Sequence, residues 1–121
     1  MKKATIYILI FVLSFHFSVC QNSFFDKLSD SAIALTKVKV IYDPGYYVID
    51  YPNGDVPADK GVCTDVIIRA YRKMGIDLQK EVHEGMNKNF KKYPNIWGLT
   101  HTDKNIDHRR VPNLMVFFTR H

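Results

Sequence analysis

The stretch Gly61-Val62-Cys63-Thr64-Asp65-Val66-Ile67-Ile68-Arg69-Ala70-Tyr71-Arg72 decides how the chain is read, because it joins a glycine-containing loop to the best-defined helix in the sequence. Val66, Ile67, Ala70, Tyr71 and Met74 recur at helical intervals and predict one apolar face. Gly75 followed by Ile76 predicts a left-handed stop with its hydrophobic contact. Cys63 stands at the head of this helix, where the positive end of the dipole favours the nucleophilic thiolate. The spacing fits a small buried apolar side chain equally well, since free cysteine is among the most buried residue types.

Toward the C-terminus, Asp77 is a cap for a second helix with the face Leu78, Val82, Met86 and Phe90, ending before Pro94. The two helices form a predicted hairpin. A polar stretch around Trp97, Gly98 and Leu99 leads to Asn105-Ile106-Asp107-His108-Arg109-Arg110, and Val111-Pro112-Asn113 starts a last helix through Leu114, Phe117 and Phe118. Toward the N-terminus, Phe24, Leu28, Ala32 and Leu35 predict an amphipathic helix from Ser23 to about Thr36, with Asp26, Lys27 and Asp30 on its wet side. Lys37 to Tyr42 alternates like a strand, Asp43-Pro44-Gly45 is a turn signal, and Tyr46 to Ile49 is a second β-rich run, so a β-hairpin is expected there. Asp50 to Gly61, with Pro52, Gly54 and Pro57, reads as a long loop of the kind that carries function.

Met1-Lys2-Lys3 and the apolar run Ala4 to Phe17 form a predicted secretory signal, and the run of 14 residues is shorter than the roughly 20 that a membrane-spanning helix needs. Ser18-Val19-Cys20 before Gln21 supplies the small residues of a cleavage site, which places the signal peptide at 1–20 and a single domain at 21–121. The competing reading is a lipoprotein anchored through Cys20, although Phe17 and Val19 fit that pattern poorly. Either way Cys63 is the one thiol left free. The expected location is periplasmic or extracellular. The 17 basic residues lose Lys2 and Lys3 with the signal, leaving 15 against 12 acidic ones, a net of +3 in place of +5. That modest, scattered charge gives no support to nucleic-acid binding.

A thiolate nucleophile needs a base, and the domain offers His83, His101, His108 and His121. His108 stands apart because Asp107, Arg109 and Arg110 flank it. It reads as a base or an anionic-substrate contact, or else as part of an ion-pair cluster that locks its loop. Asp55, Asp59 and Asp65 would put negative charge near Cys63 and oppose its activation unless a cation offsets them. No His, Cys or acidic residues fall at metal-ligand spacing, and no metal or cofactor is expected.

Three stretches carry a family resemblance: Tyr42-Asp43-Pro44-Gly45-Tyr46, the long run Tyr51 to Arg72 around Gly61-Val62-Cys63-Thr64-Asp65, and Asn105-Ile106-Asp107-His108-Arg109-Arg110-Val111-Pro112-Asn113-Leu114. They resemble the bacterial exported family known as domain of unknown function 1287 (YijF-like), over nearly the whole mature chain. That family is similar in pattern to NlpC/P60-like cysteine hydrolases of the papain-like class. The resemblance implies an α+β, papain-like fold in which this chain holds the N-terminal helical half with a β-hairpin, and the C-terminal sheet is largely missing. It implies Cys63 as nucleophile; His108 as base or substrate contact, and Asp65, Asp107, Arg109, Arg110 and Trp97 as substrate contacts, are candidates read from the residues themselves.

The base of intact relatives is expected in a strand beyond the equivalent of His121, and helix faces around Val66, Phe90 and Phe117 are expected to lack a partner. The leading expectation is a truncated exported cysteine amidase or peptidase acting on peptidoglycan peptides. The rivals are a non-catalytic envelope module, holding a glycan or peptide on Tyr46, Tyr47, Tyr51, Trp97 and Arg109-Arg110, and a nonfunctional gene fragment.

Overall fold

The computed structural model describes residues 23–121, so the predicted leader at 1–20 and its cleavage site lie outside the described residues. Four helices carry the architecture: α1 (residues 23–35), α2 (Cys63–Lys73), α3 (Leu78–Asn89) and α4 (Val111–Arg120). Short 3-10 turns at Phe90–Lys92 and Asp107–Arg109 follow α3 and precede α4. The α-helix ends obey the local chemistry. Asp77 accepts from the Gln79 and Lys80 N–H groups at 3.0 and 3.3 Å, which satisfies the first donors of α3. Gly75 adopts φ +79° and lets the Gly75 and Ile76 N–H groups turn back to the Arg72 and Tyr71 carbonyls.

The core is the meeting of α2, α3 and α4. Ile68, Leu78, Val82, Met86, Tyr93, Leu114 and Phe117 form one buried cluster, with Tyr71, Ile76, Phe90 and Val116 packed on it. Each such aliphatic side chain contributes about 1.5–3 kcal/mol when fully buried. The expected face of α3 holds, and Leu114 and Phe117 of α4 are buried while Phe118 is 40% exposed. Phe90 and Phe117, expected to lack a partner, find one here. The α2 face holds in part: Ala70 is buried and Tyr71 packs on the core, but Val66 and Ile67 face outward. Val66 and Ile67 are 46% and 40% exposed, while Thr64, Asp65, Ile68 and Ala70 are buried. The cause is polar: Thr64 and Asp65 are bonded to Arg109, which turns their side of the helix inward. α1 lies against α2 through Phe24 on Tyr71 and through the Ser31 hydroxyl, 3.9 Å from Met74 Sδ.

The predicted β-hairpin at 37–49 is also corrected. Strand β1 (Ile41–Tyr42) pairs in parallel with β2 (Lys60–Gly61), in the register Ile41 to Lys60 and Tyr42 to Gly61, and residues 46–49 form no strand. A parallel pair needs a long crossover, and residues 43–59 supply it. The fold is therefore α+β, rich in helix, with a two-stranded parallel sheet among the described residues.

The crossover is held by side chains that receive its backbone groups. The Asn53 N–H donates to Asp77 Oδ2 at 2.7 Å and the Gly54 N–H to Gln79 Oε1 at 2.8 Å. Gln79 Nε2 in turn donates to the Asp50 and Lys104 carbonyls. Gly54 is obligatory, because a Cβ there would lie 2.0 Å from the Asp50 carbonyl oxygen.

Gln79 thus satisfies three backbone groups from two loops while itself fully buried. Gln79→Leu orphans all three, and since each buried unpaired group costs ~1–3 kcal/mol, a loss of at least about 3 kcal/mol in urea unfolding is expected.

Candidate functional site

Cys63 is the first residue of α2, and it is exposed. Its place is set by the residue two positions on. Asp65 Oδ2 accepts the Val62 N–H at 2.7 Å, and both Asp65 oxygens accept from Arg109, Nε at 2.9 Å and Nη2 at 3.0 Å. The pair is buried, with side-chain exposures of 3% for Asp65 and 2% for Arg109. The third arm of the guanidinium, Nη1, donates to the Gly45 carbonyl at 3.0 Å, and the Arg109 carbonyl accepts the Thr64 hydroxyl at 2.9 Å. One arginine therefore joins the start of α2, the turn after β1 and the 3-10 turn before α4.

The Gly45 turn is itself fixed from the other side. Asp43 accepts from the Tyr47 hydroxyl, the Gly45 N–H and Lys60, and these donors hold its carboxyl at about 2. The Lys60 ammonium is raised in return by Tyr47 and Asp43. Asp55, expected near the thiol, instead pairs with Arg69 at 3.0 Å and Arg72 at 2.7 Å. Two of the three acids expected to oppose a Cys63 thiolate, Asp55 and Asp65, are thus matched by arginines, and Asp59 is not.

The remaining predicted site residues divide into two groups. Asp107 and His108 are interior. Burial raises the Asp107 carboxyl, against the opposing effects of the Asp103 N–H and of Arg110. Burial lowers His108 to about 4, so the ring is neutral, and its Nδ1 has no protein partner. Among the described residues, no hydrogen bond links Cys63 to any histidine. His83 lies against Tyr51 and Asn87, His101 beside Thr100, and His121 against Phe117. Trp97 and Arg110 form the second group, with the guanidinium 4.1 Å from the indole centroid.

The tyrosines expected to join Trp97 are engaged separately. Tyr46 bonds Asp103 and Asn105, Tyr47 bonds Asp43 and Lys60, and Tyr51 meets His83 and Lys104.

Sequence reasoning missed Thr64, Gln79 and Asn113, all buried. A signal existed for two of them. Gln79 lies three residues before Val82, and Asn113 four before Phe117, so each is a polar residue written into an apolar face.

The family described as domain of unknown function DUF1287 matches residues 29–121. The chain belongs to this family. The match takes in Cys63, Asp65, Trp97 and the whole 107–110 turn, so every site residue above lies in DUF1287 sequence. The chain is also 53% identical over 94 residues to the uncharacterized protein YijF of Escherichia coli (strain K12), covering 78% of this chain and 46% of that relative. It thus spans about half the length of the curated relative it matches. No solved structure matches the chain.

Two outcomes follow from the geometry. Arg109→Met strands a buried carboxylate and is expected to cost about 3–5 kcal/mol in chemical unfolding, part of it recovered when Asp65→Asn is added. The second concerns acid. The folded state holds His108 at about 4 against an ordinary value of 6.5, so the unfolded chain binds its proton first. Stability present above 6.5 is therefore lost as pH falls through that window, at up to about 1.4 kcal/mol per pH unit. Asp107, raised by burial, works in the opposite direction, but it is common to both proteins when the wild type is compared with His108→Leu. Unfolding curves of the variant between these pH values should be flatter.

Proposed function

We propose that this DUF1287 domain is the nucleophile-bearing half of an exported cysteine hydrolase that cleaves amide bonds in cell-wall peptides. The observation that carries the reading is Cys63 itself: an exposed thiol at the first residue of α2, on a helix start clamped by the buried Asp65–Arg109 pair. A reacting group gains from such a rigid mount, because its approach to a substrate carbonyl is then preset. The backbone N–H groups of the first turn also point their positive dipole ends toward the site of attack.

The chemistry is acyl transfer. The Cys63 thiolate adds to the amide carbon, the amine leaves with a proton from the base that had taken the thiol proton, and water cleaves the resulting thioester. His108 is a poor candidate for that base, since a buried imidazole held near 4 takes up a proton weakly at neutral pH. The reading therefore assigns the base to the part of the longer relatives that these residues do not span. Asp65, Asp107 and Arg109 serve as positioning residues. Trp97 and Arg110 remain open to a substrate.

A second reading, a non-catalytic envelope-binding module, is favoured by one observation, the Arg110 guanidinium stacked on Trp97 at the edge of a cavity. Cys63 separates the two readings. In a chimaera that joins this chain to the remainder of the Escherichia coli relative, and so supplies the base the reading assigns there, iodoacetamide at pH 7 should alkylate Cys63 at least about tenfold faster than free cysteine, as an activated thiol requires. Alkylation no faster than free cysteine would remove the hydrolase reading, and retention on cell-wall fragments by Cys63→Ala would then support the binding module.

A further inference from the structure

Along the outward side of α2 runs a groove of about 590 Å³, bordered on its other side by the end of α1 and the segment that leads into β1. Leu35, Val38, Val40, Val62 and Val66 give it aliphatic walls. Val38, Val40 and Val66 are 55%, 42% and 46% exposed, and apolar side chains left bare around one groove mark a binding surface. Cys63 stands at one end. It follows Val62 in the chain and lies one helical turn before Val66, so its neighbours on that side are walls of the groove. Lys73, the last residue of α2, lines the other end, ten residues on and therefore about 15 Å along the helix axis.

The charges of the lining single out one cation. Asp65 is neutralised by Arg109, while Arg69 and Arg72 share Asp55 and direct further donors to the carbonyls of Gly54, Val56, Pro57 and Lys60. Lys73 is in no ion pair among the described residues, and the surplus charge of the groove is positive. An aliphatic channel thus joins an exposed thiol to a free ammonium. Resting on the hydrolase reading for the role of Cys63, we propose that this groove holds the leaving side of the substrate: an extended peptide tail of small aliphatic residues whose free carboxylate reaches Lys73. An extended chain advances about 3.3 Å per residue, so about four residues separate the bond that is cut from that carboxylate. The C-terminus of a peptide supplies the charge without any particular side chain. An amidated end leaves Lys73 unmet, and a basic end is repelled by it. Cell-wall peptides in general are thereby narrowed to short aliphatic tails with a free C-terminus.

The isotope-labelled chain is titrated with N-acetyl-Ala-Val-Ala-Ala as its carboxylate and, separately, as its C-terminal amide. Saturable shifts of the backbone amides of Val40, Gly61, Val66 and Lys73 are expected, with the amidated peptide about threefold weaker, the scale of an exposed ion pair. Lys73→Met should bring the two midpoints together. Val66→Asp should raise both at least about tenfold by placing a charge against the aliphatic segment, while Lys91→Ala, outside the groove, leaves them unchanged. The carboxylate peptide should also slow alkylation of Cys63 in step with its occupancy, because its acetyl end covers the thiol. The proposal is overturned by unsaturable shifts, by equal midpoints for the two peptides on the unmodified chain, or by full occupancy that leaves Cys63 unprotected. It is overturned as well if a folded chimaera with the remainder of the Escherichia coli relative no longer binds the peptide, since that remainder then fills the groove. A thiol that is not activated in the chimaera, with binding intact, removes the hydrolase reading and leaves the groove as a peptide site. The two-peptide comparison uses the unmodified protein and decides the matter even where a variant does not fold.

Discussion

The buried pair between Asp65 and Arg109 is the constraint on which the rest of this structure depends. The two residues lie 44 positions apart, and both are all but sealed from solvent. Taking two ions out of water costs several kcal/mol each, and the attraction between them repays this only when the geometry is good and the remaining hydrogen-bonding groups are satisfied. Here they are. Two parallel N–H bonds join the fork to the carboxylate, the third arm reaches the Gly45 carbonyl, and the carboxylate takes the Val62 N–H as well. Bidentate geometry of this kind requires arginine, because a lysine ammonium cannot reproduce the fork.

The pair explains the orientation of α2, which its apolar residues alone would misplace. Hydrophobic burial is non-directional, so Val66 and Ile67 have as much claim to the core as Ile68. A buried salt bridge has direction. With Asp65 fixed inward and Thr64 bonded to the Arg109 carbonyl, Ile68 and Tyr71 follow on the same side of the helix and Val66 and Ile67 are turned outward. Val66 joins Leu35, Val38 and Val40 in the wall of the groove of about 590 Å³. Cys63, at the head of the same helix, is carried to the surface by that rotation.

Much of the local structure was legible because it rests on local rules. The Asp77 cap, the Gly75 stop, and the faces of α3 and α4 follow from residues within one or two turns of each other. What failed depended on partners distant in sequence. The run at 37–49 has strand composition, but β1 pairs with residues beyond a seventeen-residue crossover, and composition cannot name a partner. The crossover is held by Gln79, Asp77 and Asn105, each of which lies at least 24 positions from the loop atom it receives. For the candidate site, residue type and pattern singled out positions, while their partners in the fold were not legible. Cys63, Asp65, Trp97 and the 107–110 cluster all stood out, but sequence adjacency grouped Arg109 with Arg110, whereas the fold gives them different tasks.

That division between neighbours follows from the 3-10 turn Asp107–Arg109. In a turn of about three residues, successive side chains leave the axis some 120° apart, so adjacent positions serve different surfaces. Arg109 enters the interior to hold α2, and Arg110 turns to Trp97 and the cavity. Asp107 stands between them: its carbonyl receives Asn113, its Oδ2 the Asp103 N–H, and its Oδ1 lies toward Arg110. The mount of Cys63 and the wall of the cavity are consequently built from one rigid turn. The turn isolates the two surfaces as firmly as it joins them, and the same four-residue cluster can therefore support a helix start on one side while placing a guanidinium against Trp97 on the other.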